Sequence, residues 1–519
     1  MIIQYLVDRS MLLHIVSYLS IPLVSFLLVS MMVVMLKKAN DHRPLPPGPR
    51  ALPIIGNLHQ IPTTNPWETY QKWHRTYGPI ISFRLGSRLI ISIGSHEVAD
   101  ELLNKRGHIY SSRPPLIISG HLTKGLHMGI NPAGPKWKND RKILSQFLSM
   151  SESKNYCPMQ DTESKQVVRD LLRSDAFASH FDRYAGGLMM SFLYGRRISS
   201  SSHPDLCQIL DISEKVDEAV NQNQNRIVEA FPALDLLPEF LSPWKQIGNQ
   251  AYSITTEIFE RLFNQGKTNA RAWASQVQKV KGAESLPTSE LAYLLGILNQ
   301  GGGETTAAVL RIFVLASLLH HGAVLEAQKE LDRVVGQDRL PTFDDMLNLP
   351  YVNAFIHEVQ RWHPLLPAGV PHATTQDDIY MGYHIPKGTT ILPNHWTLDL
   401  DADSFDAPLS FQPTRWLENP DLPTAAFGFG RRVCPGKYIA QNSLFIVISR
   451  VLWAYDICPA YKDGKKVPVR PWNLKQSIVG PPMPFSATFK IRSPQHERVV
   501  KTSWECLGQE VVENTAEGA

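Results

Sequence analysis

The residues with the clearest chemical potential lie in the segment Phe427–Gly436, which reads Phe-Gly-Phe-Gly-Arg-Arg-Val-Cys-Pro-Gly. Its glycines predict a tight loop, because glycine permits backbone angles and close approaches that other residues avoid. Apolar residues at helical spacing follow this loop, so Cys434 is expected at the beginning of a helix. The helix dipole and the free N–H groups there favour a thiolate. A thiolate next to two arginines could ligate a metal while the guanidinium groups bind an anion.

Haem meets these requirements, since its iron accepts a thiolate ligand and its propionates can pair with arginines. An isolated Cys-Pro-Gly would suit a buried structural cysteine instead, but the run is longer than that. Phe-x-x-Gly-x-Arg-x-Cys-x-Gly, formed by Phe427, Gly430, Arg432, Cys434 and Gly436, resembles the haem-binding signature of the cytochrome P-450 family. The resemblance implies that Cys434 is the catalytic axial ligand of the iron and that the other four residues bind haem b.

A second group of chemical interest is Gly301-Gly302-Gly303-Glu304-Thr305-Thr306, inside a predicted helix that begins near Thr288. Three glycines within a helix cost about 1 kcal/mol each relative to alanine, so close packing, for example against a flat macrocycle, must offset that cost. Glu304 and Thr305 could deliver protons. A kinked core helix with a threonine hydroxyl bonded to its own turn is the alternative. The segment resembles the oxygen-binding motif of the family, which implies that both residues are catalytic.

Further residues are implicated as contacts of the haem propionates. Trp137 and Arg141 lie four residues apart in a basic segment and therefore share one helix face. A solvated basic helix with one aromatic anchor would show the same pattern. The segment resembles the Trp-x-x-x-Arg helix of the family, which implies propionate contacts, and the position of His372 implies the same role.

Glu358 and Arg361 have the spacing of a helical ion pair. The resemblance to the family implies that these two residues form a buried structural network with Arg415, which lies in the segment Phe-Gln-Pro-Thr-Arg-Trp. The chain departs from the family at Leu398-Asp399-Leu400-Asp401-Ala402, where relatives read close to Ile-His-Arg-Asp-Pro. This loss of a basic residue and a proline falls in a connecting segment and leaves the catalytic prediction unchanged.

The substrate site is expected to be apolar. By family position, the residues that contact substrate are Ala368, Gly369, Val370, Ile478 and Val479. Because these residues are largely apolar, the substrate is expected to be a hydrophobic small molecule. The proline-punctuated segment 231–241 is either part of the core or a roof that touches the membrane near the substrate entrance.

The N-terminal residues predict a membrane anchor, because residues 11–36 contain no Asp, Glu, Lys or Arg. This length exceeds the roughly 20 residues that a bilayer requires. A secretory signal would have a shorter apolar core and a cleavage site. The basic residues that follow, among them Lys37 and Lys38, place the rest of the chain in the cytosol. We therefore expect an anchor and flank at 1–43, a proline-rich hinge at 44–50, and a single-pass protein of the endoplasmic reticulum membrane.

Composition limits the remaining possibilities. The chain of 519 residues is 43% hydrophobic with a formal net charge of +4, too small a charge to indicate nucleic-acid binding. Its five cysteines are scattered, which argues against disulfide, zinc and iron–sulfur frameworks. Residues 77–93 predict a β-hairpin that turns at Gly86-Ser87, and residues 379–390 predict another that turns at 386–388. The expected fold is mainly α with a smaller β region (α+β), a single catalytic domain over 51–519 with a polar tail after about 493.

The resemblance extends from the anchor to about residue 492. Within the family, the motifs of this sequence are most similar to those of fungal microsomal members of natural-product pathways. It implies a haem-thiolate monooxygenase that inserts one atom of O₂ into a hydrophobic small molecule. Electrons would come from NADPH through a separate NADPH–cytochrome P-450 reductase, with cytochrome b5 as a further donor, docking near Lys136, Lys138, Arg431 and Lys437. The alternatives are an O₂-independent isomerase or dehydratase, which typically lacks the acid–alcohol pair, and a non-enzymatic membrane haem carrier.

Overall fold

A computed structural model describes residues 43–221 and 223–516, so the predicted anchor at 11–36 lies outside the described residues. The described chain divides into a large unit, residues 47–376 and 387–519, and a small one, residues 377–386 together with the residues up to 46.

Helices account for most of the chain. In chain order they are α1 (Pro66–Tyr77), α2 (His96–Ala99), α3 (Gly107–Tyr110), α4 (Ile117–Thr123), α5 (Pro135–Leu148), α6 (Met150–Asn155), α7 (Cys157–Leu171), α8 (Phe177–Tyr194), α9 (Pro204–Asn221), α10 (Asn223–Ala230), α11 (Pro243–Gly266), α12 (Trp273–Gln276), α13 (Thr288–Leu319), α14 (His321–Val334), α15 (Pro350–Trp362), α16 (His395–Asp399), α17 (Thr414–Glu418), α18 (Lys437–Ala454) and α19 (Pro494–Ala516).

Four small sheets complete the described fold. The strands are β1 (Ile80–Leu85), β2 (Arg88–Ile93), β3 (His372–Ala373), β4 (Asp378–Tyr380), β5 (Tyr383–Ile385), β6 (Thr390–Pro393), β7 (Tyr455–Pro459), β8 (Tyr461–Lys462), β9 (Lys465–Lys466) and β10 (Ala487–Ile491). The largest sheet has the order β1-β2-β6-β3, while β10 pairs with β7, β4 with β5, and β8 with β9. The prediction of a mainly helical chain with a smaller β region is confirmed.

The central element is α13, which is buried along most of its length and packs against α8, α11 and α18. Two of its glycines have a packing reason. A Cβ on Gly303 would lie 3.3 Å from the Cα of Gly186 in α8, and one on Gly302 would lie 2.5 Å from the sulfur of Met189. Close approach of α8 therefore offsets much of the helix-propensity cost of these glycines, whereas a Cβ on Gly301 would meet no atom within 4 Å.

Among the described residues, α13 is also the helix whose length and composition could cross a membrane. It is mostly buried within the protein, as expected of a core helix.

The sheet predictions have mixed outcomes. The first hairpin is confirmed, with Leu85 opposite Arg88 across the predicted turn. The second prediction is wrong, because β4 and β5 turn at Met381 and Gly382, both with positive φ. Residues 390–393 instead form β6, which pairs in parallel with β2.

The C-terminal residues, which the sequence analysis describes only as a polar tail, have regular structure. They form α19, in which Val500 is fully buried and the ring of His496 lies 4.4 Å from that of Trp453. For the segment 231–241, the structure disagrees with the interpretation that it belongs to the core. Its two 3₁₀ turns, Pro232–Leu236 and Glu239–Leu241, contain no buried residue, so these turns are not part of the core.

Candidate active site

The loop before α18 has the tight geometry that its glycines predict. The Cys434 amide donates to the Phe427 carbonyl at 2.9 Å, which closes the loop on itself. Gly430 has a φ of +54°, and a Cβ there would lie 2.0 Å from the Leu103 carbonyl oxygen. Only glycine fits this position. Helix α18 begins at Lys437, so Cys434 lies just before its first turn.

Burial, rather than the helix, dominates the electrostatics of the thiol. Removal from water raises the pKa of Cys434, while the Gly436 amide, Arg141 and Lys437 oppose this rise. The amide at the helix end lowers the pKa of the thiol, as the sequence predicts, but in the protein alone the effect of burial is larger. A coordinated metal ion replaces the thiol proton outright, so this environment suits a ligand that becomes a thiolate on binding.

Two buried arginines form a cationic cradle beside the loop. The Nε of Arg113 donates to the Gly129 carbonyl at 2.9 Å, and its Nη1 donates to the Pro371 carbonyl at 2.7 Å. The Nε and Nη2 of Arg432 donate to the carbonyls of Ser111 and Asn131 at 2.7 and 2.8 Å. Both side chains are less than 10% exposed. No carboxylate in the described part of the chain pairs with either guanidinium.

The cradle has the charge that haem requires. Burial and the neighbouring cations lower the pKa of Arg432 to about 9, and burial lowers that of Arg113 to about 10. Buried cations without acidic partners are costly, and two propionates would supply the missing negative charge. His372 adds a polar group, since its Nδ1 donates to the Tyr110 carbonyl at 2.9 Å and leaves Nε2 available. The residues present therefore fit haem.

Trp137 and Arg141 both face the cysteine loop from α5. The guanidinium carbon of Arg432 lies 3.9 Å from the centre of the Trp137 ring. Arg141 donates from Nη2 to the Val433 carbonyl at 2.6 Å, directly before Cys434. Their predicted common face is confirmed, and this face holds the loop that carries the thiol.

Helix α13 contributes another part of the cavity wall. The Thr305 hydroxyl donates to the Gly301 carbonyl at 2.5 Å, which is the back-bonding that one interpretation of this motif expects. Burial raises the pKa of Glu304 to about 7, and the carboxylates of Asp217 and Asp182 raise it further while Lys475 and Arg311 lower it. Glu304 can therefore hold a proton near neutral pH.

One cavity of about 230 Å³ brings several predicted residues together. It is lined by Thr305, Val370, His372, Phe427, Arg432 and Cys434. Of the other predicted residues, Glu304, Trp137, Arg141, Gly430, Gly436, Ala368, Gly369, Ile478 and Val479 do not line it. Ala368 packs instead against the cluster of Trp67, Trp396 and Leu474, so its predicted substrate contact is not supported by this cavity.

Sequence reasoning missed other residues that line this cavity. They are Arg113, Gln360, His363, Leu365, Leu366 and His395. Arg113 directly precedes Pro114-Pro115, and its partners at 129 and 370–371 are distant in sequence. Leu365 and Leu366 directly follow the helix of the Glu358 pair, and this apolar run before Pro367 was the available signal.

The predicted ionic network is buried as expected. Arg361 donates to both oxygens of Glu358, at 2.7 and 2.8 Å, and neither residue is exposed. Arg415 donates to the same carboxylate at 3.3 Å, and the Trp416 indole donates to it at 2.9 Å.

The segment that departs from the family pattern is held in the fold through Asp399. Asp399 is fully buried, accepts a hydrogen bond from the Ala425 amide at 2.9 Å, and lies 3.4 Å from Nε2 of His96. Its backbone carbonyl accepts from Arg361 at 2.8 Å. This segment therefore links the ionic network to the chain that precedes the cysteine loop.

Comparisons with known proteins agree with this geometry. The family model described as cytochrome P-450 matches residues 46–489. Cytochrome P-450 monooxygenase FrzL from Cladobotryum sp is 42% identical over 90% of this chain and 91% of its own length. Cytochrome P-450 monooxygenase peniB from Penicillium patulum is 41% identical over 92% and 90% of the two chains. The echilunin cytochrome P-450 monooxygenase from Aspergillus ruber is 39% identical over 91% and 89%. The chain belongs to the cytochrome P-450 family.

Proposed function

We propose that this protein is a haem-thiolate monooxygenase that inserts one atom of O₂ into a hydrophobic small molecule in a fungal secondary-metabolite pathway. The observation that carries this proposal is the cavity that is lined by both Cys434 and Thr305 and lies beside a buried cationic cradle. The fungal relatives named as monooxygenases match this chain over about nine-tenths of its length. The cavity wall is apolar at Val309, Leu365, Leu366 and Val370, which suits a hydrophobic substrate.

Haem, when bound, supplies the O₂ chemistry, and the protein supplies ligation, orientation and proton access. The Cys434 sulfur would ligate the haem iron. Arg113, Arg432 and the Nε2 of His372 would hold the propionates, with Trp137 stacked on Arg432. Gly430 lets the loop approach Leu103 closely, and Arg141 fixes Val433 next to the ligand.

Glu304 and Thr305 would handle protons on the α13 side of the cavity. The Thr305 hydrogen is committed to the Gly301 carbonyl, so the hydroxyl oxygen is free to accept a hydrogen bond from water in the cavity. Glu304, with a pKa of about 7, holds a proton that it can release at working pH.

Electrons would come from NADPH through a separate reductase that docks on the face around the cysteine loop. Lys138 and Arg431 are exposed there, which supports such a surface. Lys136 contributes less positive charge than its sequence position suggests, because it pairs with Glu290. Charge reversal at Lys138 and Arg431 should slow the first electron transfer in stopped-flow experiments, and unchanged rates would remove this surface.

Attachment to the endoplasmic reticulum membrane, with the catalytic domain in the cytosol, is supported by an exposed apolar patch. Leu236, Phe240 and Ile54 are 88%, 78% and 81% exposed. Hydrogen bonds from Ser87 to Ala230 and from Gly86 to Ile55 join their segments. Such patches suit a lipid surface. The full chain should stay with membranes during alkaline carbonate extraction, and its release would contradict an anchored protein.

The reaction class is tested by turnover with reductase and NADPH. Replacing Thr305 with alanine removes the hydroxyl that lines the cavity, whereas serine retains it. Because groups that position a proton transfer contribute about 100-fold or more, and the Thr305 oxygen would hold the water that carries the proton, we expect Thr305→Ala to lower product formation about 100-fold at unchanged NADPH oxidation. Thr305→Ser should recover most of the product. Product and NADPH are measured in the same reaction.

Two other outcomes would contradict a monooxygenase. Conversion of peroxide substrates without NADPH or O₂, at equal rates in Thr305→Ala and the unmodified protein, would assign the chain to the isomerases and dehydratases. Haem binding without turnover of either kind would indicate a carrier.

A further inference from the structure

The segment that departs from the family pattern places a buried acid next to the chain that enters the cysteine loop. Asp399 is the last residue of α16, and its side chain is 1% exposed. The Oδ1 atom accepts the Ala425 amide at 2.9 Å and lies 3.4 Å from Nε2 of His96 in α2. The Oδ2 atom is buried and has no hydrogen bond. A buried carboxyl group with so few partners is costly, which points to a role beyond packing.

The bond from Ala425 to Asp399 is followed by two more hydrogen bonds along the same stretch of chain. The Ala425 carbonyl accepts the Gly428 amide at 2.9 Å, and the Phe427 carbonyl accepts the Cys434 amide at 2.9 Å. Phe427 and Gly428 both line the cavity. Asp399 therefore fixes the point at which the chain enters the cavity wall, just before the loop that closes on the thiol.

A second contact with the loop is made by the histidines that neighbour Asp399. The centre of the Phe429 ring lies 6.4 Å from that of His96 and 6.0 Å from that of His395. His395 begins α16 and lies one helical turn before Asp399, and it lines the cavity as Phe429 does. Both histidines thus pack against the same residue of the cysteine loop.

The backbone of Asp399 is held separately from its side chain. Its carbonyl accepts a hydrogen bond from Arg361 at 2.8 Å, and Arg361 is the partner of Glu358 in the buried ionic network. A substitution at Asp399 leaves this carbonyl in place. Such a substitution therefore probes the contacts of the side chain with the loop while the ionic network keeps its own bonds.

We propose that Asp399 is a positioning residue of the cysteine loop and that its negative charge lowers the reduction potential of the iron that Cys434 would ligate. A negative charge in a low-dielectric interior favours the more positively charged, oxidised iron. The same side chain holds the loop through Ala425, so one group supplies both position and charge. The inference rests on the proposed function, in which the Cys434 sulfur ligates haem iron.

Two substitutions separate the charge from the hydrogen bond. In Asp399→Asn the amide oxygen still accepts the Ala425 amide, but the charge is lost. We expect this variant to keep the thiolate-shifted Soret band of the reduced, CO-bound protein. Its reduction potential should rise, by about tenfold in the one-electron equilibrium, which is about 59 mV. Asp399→Leu also removes the acceptor, so we expect part of its CO-bound protein to show an unshifted band.

The experiment uses the full-length holoenzyme and two readouts, the CO-bound spectrum and an anaerobic potentiometric titration of the iron. Asp403→Asn is the matched control, because Asp403 lies four residues further along the same segment and is exposed. The change of charge is the same, but water and salt screen a charge at the surface. We expect this control to change neither readout.

The outcomes separate this inference from the proposed function. An unshifted Soret band in the unmodified protein would show that Cys434 is not the ligand, and both would fail. If that band is shifted but Asp399→Asn has an unchanged or lower potential, the proposed function stands and the role of the charge is wrong. A fully shifted band in Asp399→Leu would show that the loop does not need Asp399, which would overturn its positioning role.

Discussion

Replacing Cys434 with alanine is expected to abolish the thiolate signature of the reduced, CO-bound protein and to remove monooxygenase activity. Cys434 is the cysteine that lines the cavity, so alanine leaves the iron without its sulfur ligand. The loop should persist, because its closing bond from residue 434 to the Phe427 carbonyl is made by the backbone. We expect product formation to fall at least about 1,000-fold, equivalent to about 4 kcal/mol of barrier at 1.36 kcal/mol per factor of ten.

Cys157→Ala provides the matched control for this prediction. Cys157 is also partly buried, but it lies beside Ser153 and Asn442 and does not line the cavity. Its replacement should leave both the absorption spectrum and turnover unchanged. A thiolate-shifted Soret band in Cys434→Ala, or an unshifted band in the unmodified protein, would contradict the assignment of Cys434 as the ligand.

The loop of Cys434 could be predicted from sequence because its constraints are local. Gly430 is required by a positive φ and a close carbonyl, and a glycine at such a position is visible in the sequence itself. The hairpin at Gly86-Ser87 was predictable for the same reason. The segment near 386–388 contains equally good turn residues, yet the strands there turn at Met381-Gly382. Turn chemistry marks where a chain can reverse, while pairing partners decide which turn forms a hairpin.

Arg113 could not be predicted because its surroundings come from distant segments. Its guanidinium is held by carbonyls at Gly129, Val370 and Pro371, the last two more than 250 residues away. The position of Ala368 outside the cavity has a related reason. Position in a motif predicts the right neighbourhood, but only packing decides that Ala368 faces the tryptophan cluster while Val370 faces the cavity.

The C-terminal helix was missed because its signal is weak in sequence. Residues 494–516 are largely polar, and few apolar side chains mark the face that packs on the core. In the structure, Val500 and His496 are buried, and His496 contacts Trp453 of α18. The helix therefore depends on α18 as a packing partner, which is consistent with tertiary contacts overriding a weak local pattern.

The second large effect is expected for Glu358→Gln, which removes the charge at the centre of the buried network. Its carboxylate accepts hydrogen bonds from Arg361, Arg415, the Trp416 indole and the Gln412 amide. Removing one partner of a buried ion pair costs about 3–5 kcal/mol, because the remaining charge stays buried without compensation. Typical native proteins are stable by only about 5–15 kcal/mol. We expect most of the variant chains to lack haem, which is measured as haem per chain after purification.

A control with the same spacing shows why burial decides this result. Glu326 and Lys329 in α14 are also three residues apart and 2.7 Å from each other, but they are 54% and 70% exposed. Water replaces the lost partner there, so Glu326→Gln should change stability by less than about 1 kcal/mol and leave haem content unchanged. Arg361 lacks that replacement, since its other partners are carbonyls of Asp399, Pro408 and Ser410, which cannot neutralise its charge. Full haem content in Glu358→Gln would show that these carbonyls alone can hold the guanidinium.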